Sequence, residues 1–339
     1  MTLEAKVQVH LRVKRKSDSG IGYSRYAVEL PGSATVLDAL IHVREYVDGT
    51  LGLRCSCRSA ICGSCSMRID GQARLACKTK AITLTHGDES HEIRVEPMTN
   101  MPVIRDLIVD QEPFWRKVRQ VEPYLQPSEP PPQHEYLVPA GAMADISAHA
   151  MRCIMCGACV SDCTVLEVDE NFIAPAALAK AYRFVADPRD GQTDARLRKL
   201  SEYSGIWDCT RCNMCVEVCP KNVAPMDRIM QLRDLAGEAG VRNNAGTRHG
   251  AAFTRSVVDG GRLNEVWLLP QSVGMLNVRR LTEELPGALR MFRAGKLPPA
   301  QYIPPGAPGS HRIPGIERVR RLVRRSQELK PAKPAIAPR

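Results

Sequence analysis

The sequence predicts an α+β protein in three parts, and three observations carry that expectation. Residues 5–13 alternate apolar and polar side chains, as a half-buried strand does. Thirteen cysteines fall into three tight groups, with none outside them. Helical patterns over 174–186 and 194–203 lie between the second and third groups. The boundaries that follow are a sheet-containing domain over 1–112, an all-α domain over 113–245 and a C-terminal extension over 246–339.

In chain order, Val7, Val9, Leu11 and Val13 mark the buried face of a first strand, opposite Lys6, Gln8, His10 and Arg12. After a turn at Gly20 and Gly22, a second strand is expected over Tyr26–Leu30. Thr35 with Asp38 three residues later is a helix-start signal, and Leu37, Leu40 and Ile41 supply that helix with an apolar face. Met67–Ile69 and Ala73–Leu75 flank Asp70-Gly71, which predicts a hairpin, and His91–Val95 predicts a closing strand. The polar, proline-rich stretch Gln126–Pro132 is expected to be a stiff linker or strap. Beyond the cysteines, Arg312, Arg318, Arg320, Arg321, Arg324 and Arg325 interleave with Ile313, Ile316, Val319 and Leu322. This is the pattern of a short basic amphipathic helix, on a membrane surface or against a neighbouring subunit. The tail from Leu329 is rich in Lys, Pro and Ala and is expected to be disordered.

Composition narrows the function classes. A hydrophobic fraction of 44% with 25% charged residues is that of an ordinary soluble domain. The start Met1–Lys6 carries charges where a secretion signal needs an apolar run. No stretch reaches the roughly 18 apolar residues of a membrane span, so attachment to a membrane is expected through partner subunits. A net charge of +10 suits an anionic lipid surface or an acidic subunit. Nucleic acid is not expected, because no aromatic residues accompany the arginines.

The cysteines carry the chemistry. Cys57, Cys62, Cys65 and Cys77 have the C-x4-C-x2-C…C spacing of a plant-type ferredoxin, which ligates a [2Fe-2S] centre. Cys153, Cys156, Cys159 and Cys163, then Cys209, Cys212, Cys215 and Cys219, each follow the bacterial-type C-x2-C-x2-C-x3-C spacing, about 56 residues apart. In such runs the fourth cysteine ligates the other cluster. Cys153, Cys156 and Cys159 are therefore expected to take Cys219 and hold a [4Fe-4S] centre. Cys163 then joins Cys209, Cys215 and the candidate Cys212 at a third centre. Cys55 falls outside the spacing and is expected to be a bystander, with replacement of Cys57 as the alternative. Gly63, between two ligands, lets backbone close on the cluster. Structural zinc normally uses two close cysteine pairs and not runs of four, and disulfide frameworks belong to small secreted domains. His10, His42, His86, His91, His134, His149, His249 and His311 are scattered and are assigned no ligand role.

Over roughly residues 1–230 the chain resembles the iron–sulfur subunit of succinate dehydrogenase and fumarate reductase. The resemblance rests on Cys57-Arg-Ser-Ala-Ile-Cys-Gly-Ser-Cys65, Ile104-Arg-Asp-Leu-Ile-Val-Asp110, Cys153-Ile-Met-Cys-Gly-Ala-Cys159 and Cys215-Val-Glu-Val-Cys-Pro-Lys221. It implies an N-terminal β-grasp [2Fe-2S] ferredoxin domain and an α-helical two-cluster ferredoxin domain. It also implies an FAD-containing flavoprotein partner, a membrane anchor and electron delivery to a quinone. The complex would sit on the cytoplasmic face of the cell membrane, and this chain would itself carry out no substrate chemistry.

Three departures from the family pattern matter. Cys212 stands where the family has no cysteine and a [3Fe-4S] centre, so the third centre is expected to be [4Fe-4S], with [3Fe-4S] as the alternative. Thr164 follows Cys163 in place of proline, Glu167 and Val168 replace an expected tryptophan, and Thr210 stands where histidine is frequent. Quinone binding by this chain itself is thereby weakened. Asn243-Asn244, His249-Gly250, Phe253 and Gly261–Glu265 are similar to a segment of the small iron–sulfur subunit of heterodisulfide reductases. Together the departures imply the non-classical branch, whose membrane partner is not a haem-bearing anchor. The leading function is the electron-transfer subunit of a succinate:quinone oxidoreductase. The alternatives are a fumarate reductase coupled to a thiol or heterodisulfide partner, and a zinc-stabilised basic binding module.

Overall fold

The computed structural model describes residues 5–17, 20–85, 88, 90–131, 135–136, 138, 141–242 and 244–328. The tail from Leu329 and the residues His86, Pro132, His134 and Asn243 lie outside the described residues. The chain divides into two compact units, Met1–Asp234 and Leu235–Arg339, each described by itself.

The first unit begins with β1 (Lys6–Ser17) and β2 (Gly20–Pro31), paired antiparallel from Lys6 opposite Pro31 to Ser17 opposite Gly20. Both strands are longer than the alternation indicates, and Gly20 and Gly22 lie inside β2, not in a turn. The extension is anchored by Arg15, whose guanidinium meets Asp48 at 2.7 Å and Asp106 at 3.0 Å. Thr35 caps α1 (Val36–His42): its side chain accepts from the Asp38 N–H at 3.2 Å, and the Asp38 carboxylate accepts from the Thr35 N–H at 3.0 Å. A π turn, Val43–Val47, ends this helix.

The hairpin β3 (Ser66–Ile69) and β4 (Gln72–Leu75) turns through Asp70 and Gly71, both at positive φ. After α2 (Ile82–Thr85), β5 (Glu92–Glu96) runs parallel to β1 and antiparallel to β3, giving the order β2-β1-β5-β3-β4. Val9, Leu11, Val13, Met67, Ile69, Ile93 and Val95 lie in one core with Leu37 and Leu40 of α1. A short ribbon, β6 (Val103–Arg105) and β7 (Ile108–Val109), is fastened to this sheet by buried Asp106, which accepts from the N–H groups of Lys16 and Gly52 at 2.9 and 2.8 Å.

The helical part of the unit comprises α3 (Glu112–Gln120), α4 (Ala144–Ala148), α5 (Ala158–Ser161), α6 (Pro175–Val185), α7 (Thr193–Leu200), α8 (Met214–Glu217) and α9 (Pro225–Glu238). Ile146, Phe172, Leu178, Leu197, Ile206 and Ile229 are among its fully buried side chains. Arg196 of α7 fastens the segment after α3. It donates to the carbonyls of Val121, Glu122 and Tyr124 and pairs with the buried Asp190 at 3.1 Å.

The second unit contains the end of α9, then α10 (Ala245–Gly260), α11 (Glu265–Val273), α12 (Val278–Arg293) and α13 (Ile316–Glu328). Asn244 caps α10 by accepting from the Thr247 N–H at 2.8 Å. The basic segment forms α13 as expected. Its Ile316, Val319 and Val323 are partly buried, and Arg320 donates to the Val258 carbonyl of α10 at 3.0 Å. Among the described residues, no helix is long and apolar enough to cross a membrane.

Candidate metal centres

The first cysteine group lies on a loop between α1 and β3, with Cys77 returned to it by the β3–β4 hairpin. Arg58, Ala60 and Gly63 have positive φ, which turns successive backbone N–H groups inward. Cys57 Sγ accepts from the N–H groups of Ser59, Ile61 and Cys62 at 3.4, 3.4 and 3.2 Å. Cys62 Sγ accepts from the Cys57 N–H at 3.4 Å, and Cys77 Sγ from the Ala60 N–H at 3.3 Å. A cage of N–H donors around sulfur stabilises thiolate charge. The Ser64 hydroxyl, 3.0 Å from Cys62 Sγ, and these backbone donors pull the Cys62 thiol down to about 6. Burial pushes Cys65 up to about 12. Cys55 packs against the sheet core.

The second and third groups are two copies of one backbone device. Before each copy stands a short 3₁₀ turn, Ala150–Arg152 or Ile206–Asp208, and within each a one-turn helix, α5 or α8, carries the third cysteine. Met155 and Gly157 in the first copy have φ of 55° and 81°, and Arg211 and Asn213 in the second have 60° and 68°. Cys156 and Cys212 therefore occupy equivalent positions on equivalent backbones.

Cys153, Cys156, Cys159 and Cys219 line one cavity of about 380 Å³ including its open mouth, with Met155, Lys221 and Pro225 on its wall. Burial raises the Cys153, Cys156 and Cys159 thiols above their ordinary value, and the neighbouring sulfurs, Cys219 among them, add to the rise. Cys163 lies with the third group. Burial raises it, as do Cys212 and Cys209, while Cys215 is pushed up to about 12 by burial and by Cys209, Cys163 and Cys212. Burial opposes ionisation of Cys212 too. There, hydrogen bonds from Thr164 and Thr210 and the Met214 and Thr164 N–H groups outweigh it, and the thiol falls below its ordinary value. The Thr164 hydroxyl is 3.5 Å from Cys212 Sγ.

Buried thiols crowded by other sulfurs are a donor set that a cationic iron cluster satisfies. Among the described residues, no three His, Cys, Asp or Glu side chains converge on a point that would hold a single ion. Cys153, Cys156, Cys159 and Cys219 line a cavity wall instead.

Contacts between the sheet and the helical part bring the first loop against the second. A Cβ on Gly63 (φ +75°) would lie 2.7 Å from the Cβ of Cys156 and 2.9 Å from its Cα. Asp162, next to Cys163, is bonded by Arg68 and by the Ala73 N–H at 3.0 Å. Asn100 donates to the carbonyls of Val160, Ser161 and Cys163. Neither Asp162 nor Asn100 stands out in the sequence, because a polar residue that bridges two domains has no local pattern. Thr164 stood out there as a departure from proline, without its hydroxyl contact to sulfur.

The fold and the cysteine sites together define an iron–sulfur electron-transfer protein. Residues 6–116 match the family described as a 2Fe-2S iron-sulfur cluster binding domain, and residues 149–223 match that of a 4Fe-4S dicluster domain. The chain is 32% identical over 292 residues to the 8-methylmenaquinol:fumarate reductase iron-sulfur subunit of Wolinella succinogenes, across 85% of this chain and 88% of that one. It is 37% identical to the fumarate reductase iron-sulfur subunit of Mycobacterium tuberculosis over 223 residues, 66% of this chain and 89% of that protein. Among solved structures, a chain of the Mycobacterium smegmatis Sdh1 complex in the apo form superposes with a TM-score of 0.64 at 26% identity, covering 70% of this chain and 99% of that one. The chain belongs to the family of iron–sulfur subunits of succinate dehydrogenase and fumarate reductase, and is an electron-transfer subunit of such an oxidoreductase complex.

Proposed function

We propose that this chain relays electrons through three centres in series, between an FAD-bearing flavoprotein and a membrane anchor that exchanges them with quinone. The ligand sets are Cys57, Cys62, Cys65 and Cys77; Cys153, Cys156, Cys159 and Cys219; and Cys163, Cys209, Cys212 and Cys215. When bound, the clusters supply one-electron oxidation and reduction. The residues of the chain hold the sulfurs, cover them and set their hydrogen bonds, which are the levers on potential. The observation that carries the reading is the exchange of Cys163 and Cys219 between the two helical groups, together with the approach of Gly63 to Cys156. It supports a relay through the three groups in sequence order.

Cys212 is proposed as a full ligand because the loop around it repeats the loop around Cys156. A fourth thiolate makes the third centre [4Fe-4S] and lowers its potential relative to a three-cysteine site. In this reading the domains are 1–112, 113–245 and 246–339, and the complex faces the cytoplasm. Succinate oxidation is the leading direction. The second reading is fumarate reduction, driven by quinol or coupled to a thiol or heterodisulfide-type partner, and the name of the relative that matches 85% of the chain supports it. Affinity purification of the tagged chain from its native host tests the reading: a co-purifying flavoprotein with succinate or fumarate activity supports it, and absence of any flavoprotein defeats it.

A further inference from the structure

The sequence nominates the basic segment from Arg312 to Arg325 for a membrane surface or a neighbouring subunit, but for a membrane the structure offers a different helix. In α13, Ile316, Val319 and Val323 are partly buried and Arg320 reaches the Val258 carbonyl of α10, while Leu322, Arg318, Arg321, Arg324 and Arg325 are turned to solvent. A continuous uncovered apolar side belongs to α12.

Along α12, Val278, Leu281, Leu285, Leu289 and Phe292 recur at three- and four-residue steps and form one stripe over the length of the helix. Val278 is 68% exposed, Leu285 53%, Leu289 46% and Phe292 57%, and no residue of α12 is buried. A stripe of this size in water marks a surface that something covers. The opposite side is basic: α12 carries four arginines and two glutamates, and Arg279 is paired with Glu283 at 3.3 Å. An apolar Leu/Phe stripe backed by arginines is the composition of a helix lying in a lipid interface. The outward arginines of α13 give the same unit a second cationic surface, which matches an anionic bilayer better than it matches the apolar groove of a protein.

We infer that α12 lies flat on an anionic bilayer surface, its Leu285–Leu289–Phe292 stripe entering the headgroup boundary and its arginines meeting lipid phosphates. The chain then has a direct membrane contact in addition to any provided by partner subunits. This inference goes beyond the proposed electron relay and uses none of its cysteines, so either can fail alone.

The test is co-sedimentation of the full-length, cluster-loaded chain with phosphatidylcholine vesicles, with and without phosphatidylglycerol. Binding is expected with the anionic vesicles, weakening as salt rises. A Leu285→Glu/Leu289→Glu variant is expected to lose about tenfold or more in partitioning, with unchanged helix content and cluster absorption. Arg290→Gln/Arg293→Gln is expected to reduce binding to anionic vesicles about thirtyfold, at roughly 1 kcal/mol per arginine. No binding to anionic vesicles, or binding that both variants retain, overturns the inference. So does a vesicle-negative chain that self-associates, or holds a partner subunit, through the Leu285–Leu289 stripe.

Discussion

Replacing Gly63 with alanine probes the contact between the first and second centres. The added Cβ would lie 2.7 Å from the Cβ of Cys156, 2.9 Å from its Cα and 3.3 Å from the Ile154 carbonyl oxygen. Carbon atoms in contact rest about 3.5–4.0 Å apart, so the two loops must separate by about 1 Å. Overpacking of this kind costs about 1–3 kcal/mol, and the left-handed φ of +75° costs alanine about 1 kcal/mol more. The expected sum is about 2–4 kcal/mol, a fall of roughly 5–15 °C in Tm for a unit of this size. Visible circular dichroism of the loaded chain, followed at one fixed heating rate, measures this directly. Rapid-freeze EPR should also show slower passage of electrons between the first two centres. A Gly63→Ala chain with wild-type Tm, cluster content and transfer rate would refute the close approach of the loops.

Thr164→Val removes the hydroxyl on Cys212 Sγ and should lower the potential of the third centre by tens of millivolts, on the order of 1 kcal/mol for one weak hydrogen bond, with little change at the other two; EPR-monitored redox titration reads this. Burial alone would raise the carboxyl of Asp187, but hydrogen bonds from Arg189 and Arg183 hold it at about 2, below its unfolded value of about 3.9. Its contribution, about 2 kcal/mol, is complete above about pH 5 and is lost as pH falls from about 4 towards 2. The difference in urea stability between wild type and Asp187→Asn should therefore stay constant from pH 8 to pH 5, and a difference that shrinks across that window would contradict the assignment. Arg196→Met leaves the Asp190 carboxylate buried and frees the carbonyls of Val121, Glu122 and Tyr124, which should cost about 3–5 kcal/mol by urea denaturation.

The parts of the fold legible in the sequence are those with local period or fixed spacing. Val7–Val13, the Asp70-Gly71 hairpin and the Thr35–Asp38 capping box each write their geometry into neighbouring residues. Cysteine spacing was equally direct, and the 56-residue offset reappears in the backbone as paired positive-φ residues. Residues acting at a distance were not legible. Arg15 extends β1 by reaching Asp48 and Asp106, and Asp162 serves the β3–β4 hairpin from a helical loop. The one-turn helices α5 and α8 are too short for a period of 3.6 to show. For the basic segment, the sequence revealed an amphipathic helix but could not reveal that α13 lies against α10 through Arg320 while Leu322 stays exposed, because periodicity marks a face and not its partner.

Low-temperature EPR of the anaerobically purified, oxidised chain, with iron analysis on the same sample, is the most direct test of three centres with Cys212 as a full ligand of the last. The account predicts about ten irons per chain, no strong [3Fe-4S] signal in the intact protein, and such a signal gained by Cys212→Ser. A strong [3Fe-4S] signal in the intact wild-type chain would contradict it.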